Sequence, residues 1–533
     1  MNKRFLFHSE GMTVALMIGA TMISKVLGML RQMMTARIFG ASMEGIAFSA
    51  ASGIPLAIFD MLFSTAIMGV FLPIYKGWLG SDEKRAGSFS SSFLTVVFLL
   101  TSLAAVMGVI FAGPIIRIAA PDLDENTASL AVILLRVMFP SVIFAGAAYI
   151  LIGILQSHEK FLLPALVSAV SNLLMLLYLS VCRAPFGKGE VIGLAVSYLL
   201  SWAIQFFTLA VPLWKMRNFP GLTRRWKTPD TVLAGKRSLP VIFGSWLVPV
   251  TTLIAKAFSS FAHIGSGESN LHAGAAIVAY ENAFSVFSIA SGFLTYGICN
   301  YLFPKLSKQF SDDNAEEFGR SVRKGFFAAI ALILPISGAM FLLSQEIVVF
   351  LYLRGSYTSE LAEAASVSLR ILVFAMPACG MTEFFSRVYY SCAKVRYPMR
   401  TSLAGIAVAW LSCAIFFRMG ITTVETVALS VVLGQTAAGL LLLLSGRHFF
   451  KGKGVQERGR YFGLVSGTVL CVVAMWFCRN FLRKTLHFSD AFQNLVIMTI
   501  VFAVGFVVYL IWLILVRVIR ISDLRFVGGD ENL

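Results

Sequence analysis

Six basic residues stand inside long apolar runs of this chain: Lys25, Arg31, Arg136, Lys256, Arg370 and Arg387. A cation at bilayer depth is costly, so such residues usually face a cavity or a partner group rather than lipid. Lys25 and Arg31 share the stretch Met12 to Gly40, MTVALMIGATMISKVLGMLRQMMTARIFG. At about 100° per residue they project about 120° apart, so both can border one wide cleft without forming a stripe. Snorkelling of either side chain to an interface is the plain alternative. A cleft lined by cations suits an anion, because fixed positive charge in a low-dielectric vestibule attracts it strongly. Arginine grips phosphate oxygens bidentately, and lysine acts as a point charge. Lys25, Arg31 and Lys256 are therefore the candidate substrate-binding residues.

The other buried charges divide between accessory and structural readings. Arg136 precedes Pro140 and Arg370 precedes Pro377, where bracing of a helix bend and substrate contact are equally open. Arg387 has Glu383 four residues earlier on the same helix face, the spacing of an internal ion pair. Asp60, Glu281 and Glu346 are the acids in or near apolar runs; Asp60 suits neutralisation of a cavity cation or carriage of a coupling proton. No P-loop, histidine-based metal site, GxSxG or Asp-rich diphosphate–magnesium motif is present, which argues against an enzyme and against ATP-driven transport within this chain. Seven scattered cysteines with no CxxC read as packing residues.

The elements that must position these residues are membrane helices. The 533 residues are 58% apolar and 13% charged, with a mean hydropathy of +0.81. Apolar runs of about 18 or more recur throughout and lack the alternation of barrel strands. About fourteen helices are expected, near 12–38, 45–75, 88–118, 127–154, 162–182, 190–213, 239–261, 271–303, 324–350, 363–391, 401–417, 423–446, 461–478 and 492–516. The first run is too long for a cleaved signal and reads as a retained helix. Of the 44 Lys and Arg, about 29 fall in the tails and the alternate loops that include 76–87, 214–238 and 305–323. The positive-inside rule then places both termini in the cytoplasm, with the acidic turn at 121–126 and the turn at 262–270 facing outward. The net charge of +17 fits cytoplasmic loops and anionic lipid; no basic run interleaved with aromatics suits nucleic acid.

The chain also repeats itself. FLPIYK, with Pro73, is echoed by YLFPKLSK, with Pro304, 231 residues later (304 − 73). The 30 residues from Leu135 overlay those from Leu369 without a gap, matching Arg136 to Arg370, Lys160 to Lys394 and Pro164 to Pro398 at an offset of 234. The first offset carries Lys25 onto Lys256 (25 + 231). Residues 1–213 thus read as one six-helix lobe, 214–238 as a basic cytoplasmic linker and 239–450 as a parallel second lobe. Two further helices follow at 460–518, then a tail at 519–533. Parallel repeats about an axis along the membrane normal are a common transporter plan, with the site between halves.

With these residues in hand, the chain resembles the MurJ (MviN) family of lipid II flippases, within the multidrug/oligosaccharidyl-lipid/polysaccharide exporter superfamily. The resemblance is carried by SKVLGMLRQMMTARIFGA, GIPLAIF, FLPIYK, the Leu135 segment, FPKLSKQF, LYLRGSYT and FFSRVYYSCAKVRYP. It implies an all-α polytopic fold of fourteen helices in the bacterial cytoplasmic membrane and a cavity between two lobes, with the last two helices forming a lipid-tail groove. It implies export of the undecaprenyl-diphosphate-linked peptidoglycan precursor to the outer leaflet, with Lys25, Arg31 and Lys256 on the diphosphate and nearby groups. Arg354 of LYLRGSYT joins Asp60, Arg136, Arg370, Glu383 and Arg387 as an accessory or structural candidate. Departures are also visible: Gln32 follows Arg31 where the family has an acid, Ile46 stands where Asp is common, and Ala255 replaces an acid tied to sodium in some members. The sequence therefore points to no metal or other cofactor, with the membrane potential or an ion gradient as the drive. Membrane lipids and cell-wall synthesis proteins are the candidate partners beyond the substrate. A flippase for another lipid-linked oligosaccharide is the runner-up. A cation-coupled drug exporter, which should have acids dominating its cavity, and a scaffold indifferent to loss of Lys25 and Arg31 stand further back.

Overall fold

The computed structural model describes residues 3–182, 189–264, 274–311, 315–392, 394–450, 454–485 and 490–516. The tail at 519–533 and most of the turn at 262–270 lie outside them. The described residues form helices and no strand, as a lipid-embedded backbone must when it satisfies its own hydrogen bonds. Eleven helices are long and apolar enough to cross a membrane, or twelve if one pair bent by 48° is a single span, by length and composition among the described residues. The first and eighth expected spans fall on two helices of 37 residues each, whose side chains are described only in part.

The chain packs as two compact units. The first comprises residues 1–278 with 354–358, and the second 279–353 with 359–533. In chain order the first holds α1 (Lys3–Phe39), α2 (Met43–Phe59), α3 (Leu72–Leu79), α4 (Glu83–Ile110), α5 (Ala112–Ala119), α6 (Glu125–Met138), α7 (Ser141–Ser157), α8 (Leu162–Leu177), α9 (Glu190–Lys215), α10 (Pro229–Gly244) and α11 (Leu247–Ser260). Helix α12 (Ala275–Ser311) begins in the first unit and continues in the second. The second unit then holds α13 (Ala315–Leu342), α14 (Ser344–Tyr352), α15 (Ser359–Leu372), α16 (Met376–Ser391), α17 (Arg396–Arg418), α18 (Val424–Ser445), α19 (Gly454–Thr485) and α20 (Asp490–Leu515). Side-chain caps start several of these helices. Ser42 accepts from Gly45 N, Asp82 from Arg85 N, Asp124 from Thr127 N and Thr228 from Thr231 N, each satisfying a donor the helix leaves open.

The internal repeat is visible in the helix boundaries. Helices α2, α4 and α5 start at residues 43, 83 and 112, and α12, α13 and α14 start at 275, 315 and 344, each 232 residues later. Helices α6, α8 and α9 start at 125, 162 and 190, and α15, α17 and α18 start at 359, 396 and 424, each 234 later. The change of offset falls where α14 runs nine residues against eight in α5. The following loop, 353–358, is also one residue longer than its counterpart at 120–124.

Packing divides the chain at a different place from the repeat. The first unit extends to Val278 because the 214–238 segment is fastened to α4 rather than held off in solvent. Thr223 N donates to Thr95 Oγ1 at 2.9 Å, and Ser92 Oγ donates to the Arg225 carbonyl at 3.1 Å. Arg85 grips Asp230 with Nε at 2.9 Å and a second nitrogen at 3.0 Å, and its guanidinium lies 3.5 Å from the centre of the Trp78 ring. Helices α10 and α11 form the seventh hydrophobic span; α10 thereby packs on α4 and the segment 60–71, and α11 on α2. In the second unit, close packing rests on small residues. A side chain at Gly434 would strike Gly405 and Ala409 of α17, and one at Gly439 would strike Ala378 of α16. The two last helices are pinned laterally, with Tyr509 Oη donating to the Ala331 carbonyl at 2.9 Å and Trp512 Nε1 to Ser466 Oγ at 3.1 Å. Of the cysteines whose side chains are described, Cys379, Cys392, Cys413, Cys471 and Cys478 are free.

Candidate functional site

Helix α1 carries Lys25 and Arg31 and is seated against α8 by polar contacts. Ser24 Oγ donates to the Ala165 carbonyl at 2.9 Å, and Asn172 Nδ2 donates to the Ser24 carbonyl at 3.3 Å. This fixes the rotation of α1. Lys25 is exposed, on a face it shares with Met22, Ile23, Val26 and Leu30. Arg31 is half-buried, and one guanidinium nitrogen lies 3.4 Å from the Met175 sulfur on α8.

Asp60 opens a π-helical turn, Asp60–Ser64, and a second turn of the same kind spans Ile67–Phe71. Such turns leave the regular ladder and free backbone groups for outside partners. One is used here: the Met61 carbonyl accepts from Trp246 Nε1 at 2.9 Å. Tyr149 of α7 meets Phe59 edge-on at 4.9 Å. Tyr198 on α9 is buried. Arg31 and Asp60 both belong to the first unit.

Lys256 stands in a different setting. It is 1% exposed, and its Nζ donates to the Ser49 carbonyl of α2 at 2.5 Å. The ammonium therefore ties α11 to α2 in this conformation. Although it lies in the second repeat, it packs in the same unit as Lys25 and Arg31.

The loop after α14 also joins the first unit. Ser356 N donates to the Arg37 carbonyl at 2.9 Å and Ser356 Oγ to the Ile38 carbonyl at 3.0 Å, so this loop caps the C-terminal end of α1. The approach requires glycine at both sides: Gly40 has φ +48° and faces the Ser356 carbonyl, and Gly355 has φ +63° and faces the Arg37 carbonyl. Neighbouring Arg354 is exposed.

The remaining candidates are dispersed. Arg136 is exposed near the end of α6, three residues before the α6–α7 break at Phe139–Pro140. Arg370, at the equivalent place before the α15–α16 break, donates from Nε to Ser344 Oγ at 3.2 Å and so braces α15 on α14. Arg387 is ion-paired with Glu383 on α16. Among the described residues no cluster of His, Cys, Asp and Glu is able to hold a metal ion. Sequence reasoning did not find Tyr149, Tyr198 and Trp246, because aromatic residues in apolar runs look the same whether they line a polar region or fill a core. It marked Glu346 but not its partners, which are 133 residues or more away in the chain.

The family model described as "Lipid II flippase MurJ" matches residues 35–515. The chain belongs to the MurJ lipid II flippase family. A probable lipid II flippase MurJ of Buchnera aphidicola subsp. Schizaphis graminum is 26% identical over 386 residues, covering 72% of this chain and 73% of that one. The lipid II flippase MurJ of Burkholderia cenocepacia is 24% identical over 456 residues, 83% of each. A solved structure of lipid II flippase MurJ in an inward closed conformation superposes with a TM-score of 0.75 at 19% identity, covering 94% of this chain and 98% of that one. An inward-facing multidrug resistance MATE family transporter of the MOP superfamily gives 0.65 at 13% identity, covering 81% and 97%, and so shares the fold. The protein is accordingly a multi-pass membrane transporter and not an enzyme.

Proposed function

We propose that this protein carries lipid II from the inner to the outer leaflet of the bacterial cytoplasmic membrane by alternating access, with both termini in the cytoplasm. Moving a saccharide–diphosphate through hydrocarbon without partners is prohibitive, so a polar path through the protein is the physical requirement. The observation that carries the reading is Arg31. It is a half-buried guanidinium within α1, with one nitrogen 3.4 Å from the Met175 sulfur of α8. A guanidinium presents its donors in a planar fork that matches phosphate oxygens. Lys25, exposed on the same helix, supplies a second positive charge. Lys256 reaches the head group in a conformation in which α11 leaves the Ser49 carbonyl, and braces α2 otherwise. A negative-inside potential favours outward movement of an anion by about 2.3 kcal/mol per charge per 100 mV. Asp60 balances Arg31 when the site is empty.

Rescue of a bacterium depleted of its own lipid II flippase tests this reading, with outer-leaflet lipid II measured beside growth at matched membrane levels. Wild type restores both, and Arg31→Ala and Lys25→Ala/Lys256→Ala do not. Rescue by every variant removes these cations from the site. A well-expressed wild type that fails to rescue moves the substrate to another lipid-linked oligosaccharide.

A further inference from the structure

Helices α14, α19 and α20 meet around a cavity of about 310 Å³ lined by Gln345, Val349, Arg483, Gln493 and Asn494. Glu346, next to Gln345 in α14, is 0% exposed and holds two arginines of α19 on one oxygen: Arg479 Nε at 2.5 Å and Arg483 at 2.8 Å. The other oxygen, Oε2, has no hydrogen-bond partner among the described residues. One carboxylate against two guanidiniums leaves a surplus positive charge. The surplus falls on Arg483, whose side chain is 40% exposed against 13% for Arg479. Arg483 also donates to Gln345 Oε1 at 3.4 Å, a long bond that orients the guanidinium along the cavity wall. The primary amides of Gln345, Gln493 and Asn494 bring further donors to the same space.

The position of this charge is as informative as its geometry. With both termini in the cytoplasm, as proposed above, the C-terminal end of α19 lies on the outward side, where transmembrane proteins under-use Lys and Arg. Here that end carries Arg479, Arg483 and Lys484 within six residues. Exposed Phe477, Phe481, Phe492 and Leu495 stand beside it. A cationic, amide-lined cavity bordered by exposed aromatic and aliphatic side chains matches a molecule with an anionic head and apolar chains. At a bilayer surface the abundant anion is phosphate, which the arginine fork fits bidentately.

We propose that this cavity binds a phosphate-bearing group at the outward membrane surface, independently of the substrate path through α1. The phosphate seats on Arg483 and the amides of Gln345, Gln493 and Asn494, while Glu346 and Arg479 hold Arg483 in place. Its source is either the head group of an outer-leaflet phospholipid or free inorganic phosphate, and three probes distinguish them.

Purified full-length protein is titrated with short-chain phosphatidylglycerol, with diacylglycerol of the same chains and with inorganic phosphate, reading bound stoichiometry by native mass spectrometry and the shift in Tm. Phosphatidylglycerol binds one per protein and raises Tm, and the phosphate-free diacylglycerol does neither. Arg483→Gln weakens binding about tenfold, the size of one lost charge-assisted bond. Val349→Phe, which fills the cavity and leaves the Glu346 ion pairs intact, weakens it equally, and it decides alone if Arg483→Gln fails to fold. Lys484→Gln, outside the cavity lining, leaves affinity unchanged. Inorganic phosphate that binds as well as the lipid, with the same dependence on Arg483 and Val349, supports the site with the free ion as its occupant. Unchanged binding in both cavity variants overturns the proposal, and so does a Lys484→Gln effect as large as that of Arg483→Gln.

Discussion

Arg31 and Lys256 carry the same charge in opposite surroundings, and the difference sets what each substitution should do. Lys256 is sealed against a backbone carbonyl, so Lys256→Met exchanges an ion held out of water for a side chain of similar length that packs without that penalty. Its Tm should stay level or rise in a thermal unfolding series, while a fall of several degrees would show that the ammonium–Ser49 bond stabilises the unit. Arg31 is half-buried with one nitrogen on the Met175 sulfur, and Arg31→Ala should remove transport at an unchanged membrane level. Glu346 is the reverse case. Glu346→Gln leaves two guanidiniums without their carboxylate and should cost about 3–5 kcal/mol in denaturant unfolding, the range for breaking a buried pair from one side. The cations themselves were legible in the sequence because charge inside an apolar run is rare. Their partners were not: Ser49 contributes a carbonyl that every residue possesses, and Arg479 is far from Glu346 in the chain.

At the scale of elements, the apolar runs marked the helices well, and the repeated segments at Leu135 and Leu369 correspond to α6–α7 and α15–α16. Hydropathy alone did not show where helices depart from regularity. The π-helical turns of Asp60–Ser64 and Ile67–Phe71 lie within an unbroken apolar run, and their outside partner Trp246 belongs to a segment 185 residues away from Met61. Trp246→Phe removes the donor to the Met61 carbonyl and should lower stability by about 1 kcal/mol, with faster amide exchange confined to residues 60–71. The linker was legible as basic but not as fastened, since Thr95, Ser92 and Arg85 grip it from α4. The loop that caps α1 had a signal in LYLRGSYT, whose glycine takes φ +63°. Gly355→Val should cost about 1–3 kcal/mol there and expose the loop to protease, with no change in membrane insertion.

For the whole molecule, two divisions of the same chain coexist. The repeat divides the helices by sequence offset, whereas packing keeps α10, α11 and the 354–358 loop with the first unit. Lys25, Arg31 and Lys256 therefore share one packed unit, although a repeat-based reading assigns them to two lobes. That arrangement was not visible in the sequence because an offset records ancestry of elements and not which of them touch. The central claim is that Arg31 takes the head group of lipid II across the membrane. It is tested most directly by reconstituting the protein in vesicles with labelled lipid II in the inner leaflet, imposing a negative-inside potential and measuring label that becomes accessible outside. Wild type should move lipid II faster as the potential is made more negative, and Arg31→Ala, at equal incorporation, should fall to the rate of protein-free vesicles. Transport by Arg31→Ala at the wild-type rate, with the same response to potential, would contradict the account.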